Sequence, residues 1–126
     1  MIGYLTVGTN NLAKSAAYYD ALLGELGAKR SMDMETFVAW SNGAQTDFTV
    51  IKPFDGEAAT PGNGAMVAIA VNSTDIVDKM HAKALELGGT DEGAPGPRGG
   101  EDSPFYAGYF RDLDGNKLNF FHFKQH

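Results

Sequence analysis

Few side chains in this chain are of a type and spacing that could do chemistry. There are three histidines, His81, His122 and His126, and no cysteine. The lack of cysteine removes thiolate zinc sites, iron–sulfur clusters, disulfides and cysteine nucleophiles together. No pair of histidines stands at the i, i+4 spacing on a helix; His122 and His126 are four apart but fall on the final strand and at the chain's end. His81 is expected at the edge of a helix's apolar stripe as a satisfied or solvated residue, and His122 on a helix-packed or exposed strand face. His126 ends the chain and is expected to fray. Adjacent or near-adjacent carboxylates occur at Asp112/Asp114, Asp91/Glu92 and Glu101/Asp102. The first pair reads as turn chemistry, because a short Asp side chain bonds its own backbone, and the other two lie in a Gly/Pro-rich stretch. Serine, histidine and aspartate never assemble into a nucleophile elbow. The glycine-rich stretches 56–64 and 93–100 lack the Gly-Lys-Ser/Thr that opens a phosphate-binding helix. Arg98, in the second of them, is a candidate for meeting an anion.

The elements that must position these residues follow from periodicity. Ile2 to Val7 alternates, with Leu5 and Val7 on one face and Tyr4 and Thr6 on the other, as a strand requires. Thr9-Asn10-Asn11 offers helix-capping side chains. Leu12 to Leu26 then carries Leu12, Ala16, Tyr19, Leu22, Leu23 and Leu26 at helical spacing, and Gly27 stops it. A weak strand at Lys29 to Met32 and clearer ones at 37–40 and 47–51 follow, with Ser41-Asn42-Gly43 as a turn and 53–64 as a long loop. The pattern then restarts. Met66 to Val71 reads as a strand, Ser73-Thr74-Asp75 as a cap, and Asp75 to Leu87 as a helix with Ile76, Met80, Ala84 and Leu87 on its stripe. Residues 90–104 read as a loop, and 105–111 and 117–123 as strands around Asp112-Leu113-Asp114-Gly115-Asn116, a strong hairpin signal. Placing Tyr4 on Met66 superposes strand on strand, cap on cap and helix on helix, so each half reads β-α-β-β with a possible further strand.

Composition bounds the function. A chain of 126 residues is one domain's worth, 1–126, here built of unit one at about 1–60 and unit two at about 65–126. Apolar residues at 43% and charged residues at 21% are ordinary for a globular protein and argue against disorder. A net charge of −6 repels phosphate backbones, so nucleic acid is not an expected partner. No stretch approaches the about 20 apolar residues of a membrane span, and Met1 to Val7 lacks the basic and apolar regions of a signal peptide. The expectation is a soluble cytoplasmic protein.

Three stretches carry a resemblance: Ile2 to Leu12 with Ala17-Tyr18-Tyr19-Asp20, Met66 to Val71, and above all Tyr109-Phe110-Arg111-Asp112-Leu113-Asp114-Gly115-Asn116-Lys117-Leu118. With the doubled pattern, they make the chain resemble the vicinal oxygen chelate superfamily, the glyoxalase/bleomycin-resistance/extradiol-dioxygenase proteins. The resemblance implies an α+β fold in which two βαβββ units form a curved, mostly antiparallel sheet with helices outside. It also implies a homodimer, and a hollow that holds a divalent metal in the family's enzymes and organic molecules in its metal-free binders.

In metal-dependent members, ligands of the His, Glu or Gln type come from the first and fourth strand of each unit. The resemblance carries those positions onto Tyr4, Met66 and Asn119, and near Thr49 with a register uncertain by a residue or two; a slip would reach Asp47. Phenol, thioether, amide and hydroxyl are a poor set for an enzymatic divalent ion, so no metal and no other cofactor is expected. Alternation instead puts Tyr4, Thr6 and Gly8, Met66, Ala68 and Ala70, and Asn119, Phe121 and Phe123 on the inner face. Tyr109 lies across from Asn119 if the hairpin register is short. Small residues edged by aromatics with a few polar anchors suit a small-molecule site. The residues expected to bind ligand are therefore Tyr4, Thr6, Thr49, Met66, Ala68, Tyr109, Asn119 and Phe121. The leading reading is a small-molecule-binding protein of the glyoxalase/bleomycin-resistance type without metal. The alternative is a lactoylglutathione-lyase-like or dioxygenase-like enzyme with displaced or absent ligands. A structural or regulatory dimer module with an empty hollow is the third.

Overall fold

A computed structural model describes residues 1–124. The expectation for His126 lies outside the described residues. The chain divides into two units, Met1–Pro61 and Gly62–His126.

In the first unit, β1 (Tyr4–Gly8) leads into α1 (Leu12–Gly24), followed by β2 (Lys29–Asp33), β3 (Phe37–Ser41) and β4 (Asp47–Ile51). Their order across the sheet is β1-β4-β3-β2; β1 runs parallel to β4 and the other pairs are antiparallel. The Asn11 side chain accepts from the Lys14 backbone N–H at 3.1 Å, satisfying a donor that the first turn of α1 cannot pair internally. The helix buries Ala16, Tyr19, Leu22 and Leu23 against β2, β3 and β4. Tyr19 meets Phe48 at 4.6 Å and Trp40 at 5.8 Å between ring centroids. Each such ring contributes about 2–3 kcal/mol through burial. Asp20 ties the helix to the sheet. Its carboxylate accepts from Trp40 Nε1 at 2.9 Å and from Arg30 Nε and Nη2 at 2.9 and 2.7 Å. The Arg30 hydrogen bond, foremost, holds the Asp20 pKa below its ordinary value.

The second unit repeats the plan: β5 (Val67–Ala70), α2 (Thr74–Glu86), β6 (Thr90–Pro97), β7 (Phe105–Arg111) and β8 (Lys117–Phe123). Its order is β5-β8-β7-β6, with β5 parallel to β8. The alignment of Tyr4 on Met66 carries α1 onto α2 at both ends, and Asn11 onto Ser73, which caps α2 through Ile76 N–H at 3.2 Å. The buried residues of α2 are Val77, Met80, His81 and Ala84. Ile76 and Leu87, expected on the stripe, are only half-buried. Phe110 and Phe120 stack at 5.4 Å and are fully buried.

One expected loop is in part a strand. Residues 90–97 form β6, although they hold two glycines and two prolines. β6 lies at the edge of its sheet, where a proline without an N–H costs no ladder bond, and its pairing with β7 shifts register twice, between Asp91 and Gly93 and between Gly93 and Gly96.

Candidate functional site

Each sheet buries one face under its helix, and the opposite face carries the residues singled out from the sequence. In the first unit the parallel pairing sets Tyr4 beside Asp47 and Thr6 beside Thr49, while Ala39 of β3 lies on the other side of Thr49. The register left open by the sequence thus places Asp47 and Thr49 together on the face of Tyr4. Leu5, Phe48 and Val50 alternate to the helix side. A hollow of about 510 Å³ lies on this open face, lined by Tyr4, Thr6, Met32, Gln45, Asp47 and Thr49 among others. The Tyr4 side is 71% exposed whereas Thr49 is buried, so an aromatic edge stands over a polar floor. The Ser31 hydroxyl donates to the Asp47 carboxylate at 3.0 Å. Met32 and Gln45 were not among the expected site residues. Met32 comes from the weak strand, and Gln45 from the turn before β4, where periodicity carries no signal.

A second hollow, of about 670 Å³, lies where the 53–64 loop meets the end of β1, lined by Thr9, Asn10, Lys52, Phe54 and Glu57 among others. It contains none of the expected site residues. Asn10 pins this loop. Its Nδ2 donates to Ala59 O at 3.0 Å and its Oδ1 accepts from Ala59 N–H at 2.7 Å.

In the second unit, one row across the sheet reads Gly93, Tyr109, Asn119, Ala68. The next row holds Ala107, Phe121 and Ala70. The short hairpin register does bring Tyr109 opposite Asn119. Phe105 packs against Phe121 at 5.7 Å, and Met66, just before β5, is exposed. Asn119 is 1% exposed, and neither its Oδ1 nor its Nδ2 has a hydrogen-bond partner. The Tyr109 ring is approached by the Arg98 guanidinium at 5.3 Å and by Lys117 Nζ at 5.4 Å.

His81 and His122 serve the opposite face. His81 is buried on α2, with Nε2 3.0 Å from Asp91 Oδ1 and 3.1 Å from Tyr109 O. A Cβ at position 108 would come within 3.1 Å of its ring, so Gly108 makes its seat. His122 Nδ1 lies 2.9 Å from Val71 O. Asp112, buried, accepts from the backbone N–H groups of Asp114 and Asn116 and from Asn116 Nδ2, which is turn chemistry as expected. Among the described residues, no three His, Asp or Glu side chains gather closely enough to hold a metal ion.

The resemblance puts the family's metal-ligand positions at Tyr4 and near Thr49, or Asp47 on a slip, in one unit and at Met66 and Asn119 in the other. The orphaned amide of Asn119 is a neutral, weak donor to a divalent cation, and the thioether of Met66 suits a soft monovalent one. These residues do not fit the ion.

Comparison with known proteins accords with this geometry. A glyoxalase/bleomycin resistance protein from Albidiferax ferrireducens T118 is 35% identical and superposes with a TM-score of 0.87, over 97% of this chain and 98% of its own. A hypothetical protein from S. aureus is 28% identical with a TM-score of 0.75, over 97% of this chain and 92% of its own. A glyoxalase/bleomycin resistance protein/dioxygenase family enzyme from Burkholderia phytofirmans PsJN, at 18% identity and a TM-score of 0.78, covers 96% of this chain and 97% of its own and shares the fold. No curated protein matches. The family model for the Glyoxalase/Bleomycin resistance protein/Dioxygenase superfamily matches residues 1–120, and the chain belongs to that superfamily.

Proposed function

We propose that this protein binds a small organic molecule and uses no divalent metal at the family's ligand positions. The observation that carries the reading is the open face of the first unit. There the exposed Tyr4 phenol and the Met32 thioether edge a polar floor of Thr6, Asp47 and Thr49 in a hollow of about 510 Å³, the size of an organic ligand site. The donor set at Tyr4, Thr49, Met66 and Asn119 supports the second part, because it offers neither imidazole nor carboxylate, and the Asp47 carboxylate beside Tyr4 belongs to no group of three His, Asp or Glu side chains among the described residues. No helix among the described residues is long and apolar enough to cross a membrane, which accords with a cytoplasmic binder.

Metal analysis of the purified protein, paired with a thermal-shift screen of organic compounds, tests this reading. The expected result is a melting temperature raised by organic ligands, unaffected by chelators, with the rise abolished by Thr6→Leu or Thr49→Val. Stoichiometric zinc, nickel, manganese or iron that is lost on substituting Tyr4, Met66 or Asn119 would overturn it.

A further inference from the structure

Asn119 poses a question that the fold does not answer. A carboxamide buried to 1% with both ends unpaired is expensive, since its donor and acceptor have each lost water and gained nothing. The same chain shows what completes such a group. The Asn10 amide takes the C=O and the N–H of a single peptide residue, Ala59, one bond each way. The missing complement of Asn119 is by the same logic the N–H and C=O of one residue, which belong to two successive amides, because the two ends of a single trans amide point apart.

The surroundings of Asn119 add a charge requirement. Arg98 and Lys117 both stand against Tyr109, its cross-strand neighbour. Arg98 is held in place by backbone carbonyls, donating from Nη2 to Ala94 O at 2.7 Å and from Nη1 to Gly96 O at 3.0 Å. Gly93 gives it room, because a Cβ there would lie 3.2 Å from Nη2. Carbonyl dipoles orient a guanidinium but do not neutralise it. Arg30 and Arg111 have carboxylate partners, in Asp20 and Asp33 and in Glu92. Among the described residues Arg98 and Lys117 have none. In a chain of net charge −6, two uncompensated cations sharing one ring beside an unpaired amide make a local anion-attracting spot. On the other side of Asn119 the row ends in Ala68, which is exposed and offers only a methyl group.

We propose that the open face of the second unit binds a short N-acyl peptide, with at least two amides, that ends in a carboxylate. Asn119 pairs with the N–H and C=O of one residue of the ligand, and Arg98 and Lys117 take its carboxylate. The proposal rests on the reading of this protein as a small-molecule binder and names a ligand class for it.

The test is a titration of ¹⁵N-labelled protein followed by the Asn119 side-chain NH₂ and Tyr109 backbone N–H resonances. The probes are N-acetylglycylglycine, its neutral methyl ester, acetate and inorganic phosphate. N-acetylglycylglycine is expected to shift both resonances with the strongest affinity of the four. Lys117→Gln and Arg98→Gln are each expected to weaken it by about tenfold, with the dispersion of the remaining spectrum showing that the variants are folded. Three results would overturn the proposal: the ester binding as well as the anion, acetate or phosphate binding as well as N-acetylglycylglycine, or no probe moving either resonance. The thermal-shift screen reads independently. Organic ligands that act through Thr6 and Thr49 would keep the broader reading standing even where this proposal fails.

Discussion

At the scale of single residues, the position of Asn119 was legible and its state was not. Its spacing from Asp-Gly-Asn marks it, and the Tyr109 register follows from the hairpin. That its amide ends up buried and unpaired depends on packing, which no local pattern encodes. Replacing it by the similarly branched, apolar Asn119→Leu removes two unpaired groups. We expect this to stabilise the protein by about 1–2 kcal/mol, seen as a melting temperature several degrees higher, while weakening ligand. A lower melting temperature would show that the amide is satisfied in solution. Asp47 and Thr49 illustrate a different limit. Their face depends on the parallel pairing of β1 with β4, strands separated by a helix and two further strands, so chain spacing could not supply the register. Asp20 was also not anticipated, because its partners Arg30 and Trp40 sit on other elements. Its folded pKa is depressed below the ordinary 3.8 by the Arg30 hydrogen bond before all else. A depressed carboxylate contributes stability above its unfolded pKa and loses it as pH falls through the folded value. Asp20→Asn should therefore melt lower than the parent at neutral pH, modestly because the pair is partly solvated. The gap should close below about pH 4, and a gap that persists in acid would sink the electrostatic account.

At the scale of elements, the helices and most strands were readable because capping residues and periodicity agree. Asn11 and Ser73 both cap as their types suggest. β6 was missed because the cues that ordinarily signal a loop, its glycines and prolines, here mark two irregularities in an edge strand. The 112–116 turn was read correctly, and its mechanism is now visible. Gly115 has φ +86° and donates its N–H to Asp112 O at 3.1 Å, so the turn needs a left-handed residue. Gly115→Val should destabilise by about 1–2 kcal/mol or more, measured by denaturant melts. An unchanged midpoint would mean the turn can adopt another form.

At the scale of the whole molecule, both units leave large apolar side chains in water on the faces away from their helices. Tyr4 is 71% exposed and Met32 49% in the first unit, and Phe123 is 57% exposed in the second. Exposed apolar surface of this kind usually has a partner, and the resemblance points to a second copy of the chain. A homodimer at micromolar concentration is expected, and a monomer mass by light scattering would count against it. The chain's single tryptophan, Trp40, is 2% exposed within the first unit. Its fluorescence therefore reports on that unit's core alone, while circular dichroism averages over both. Unfolding traces by the two methods that coincide would mean the two units lose structure in one cooperative step, and traces that separate would give each unit its own stability.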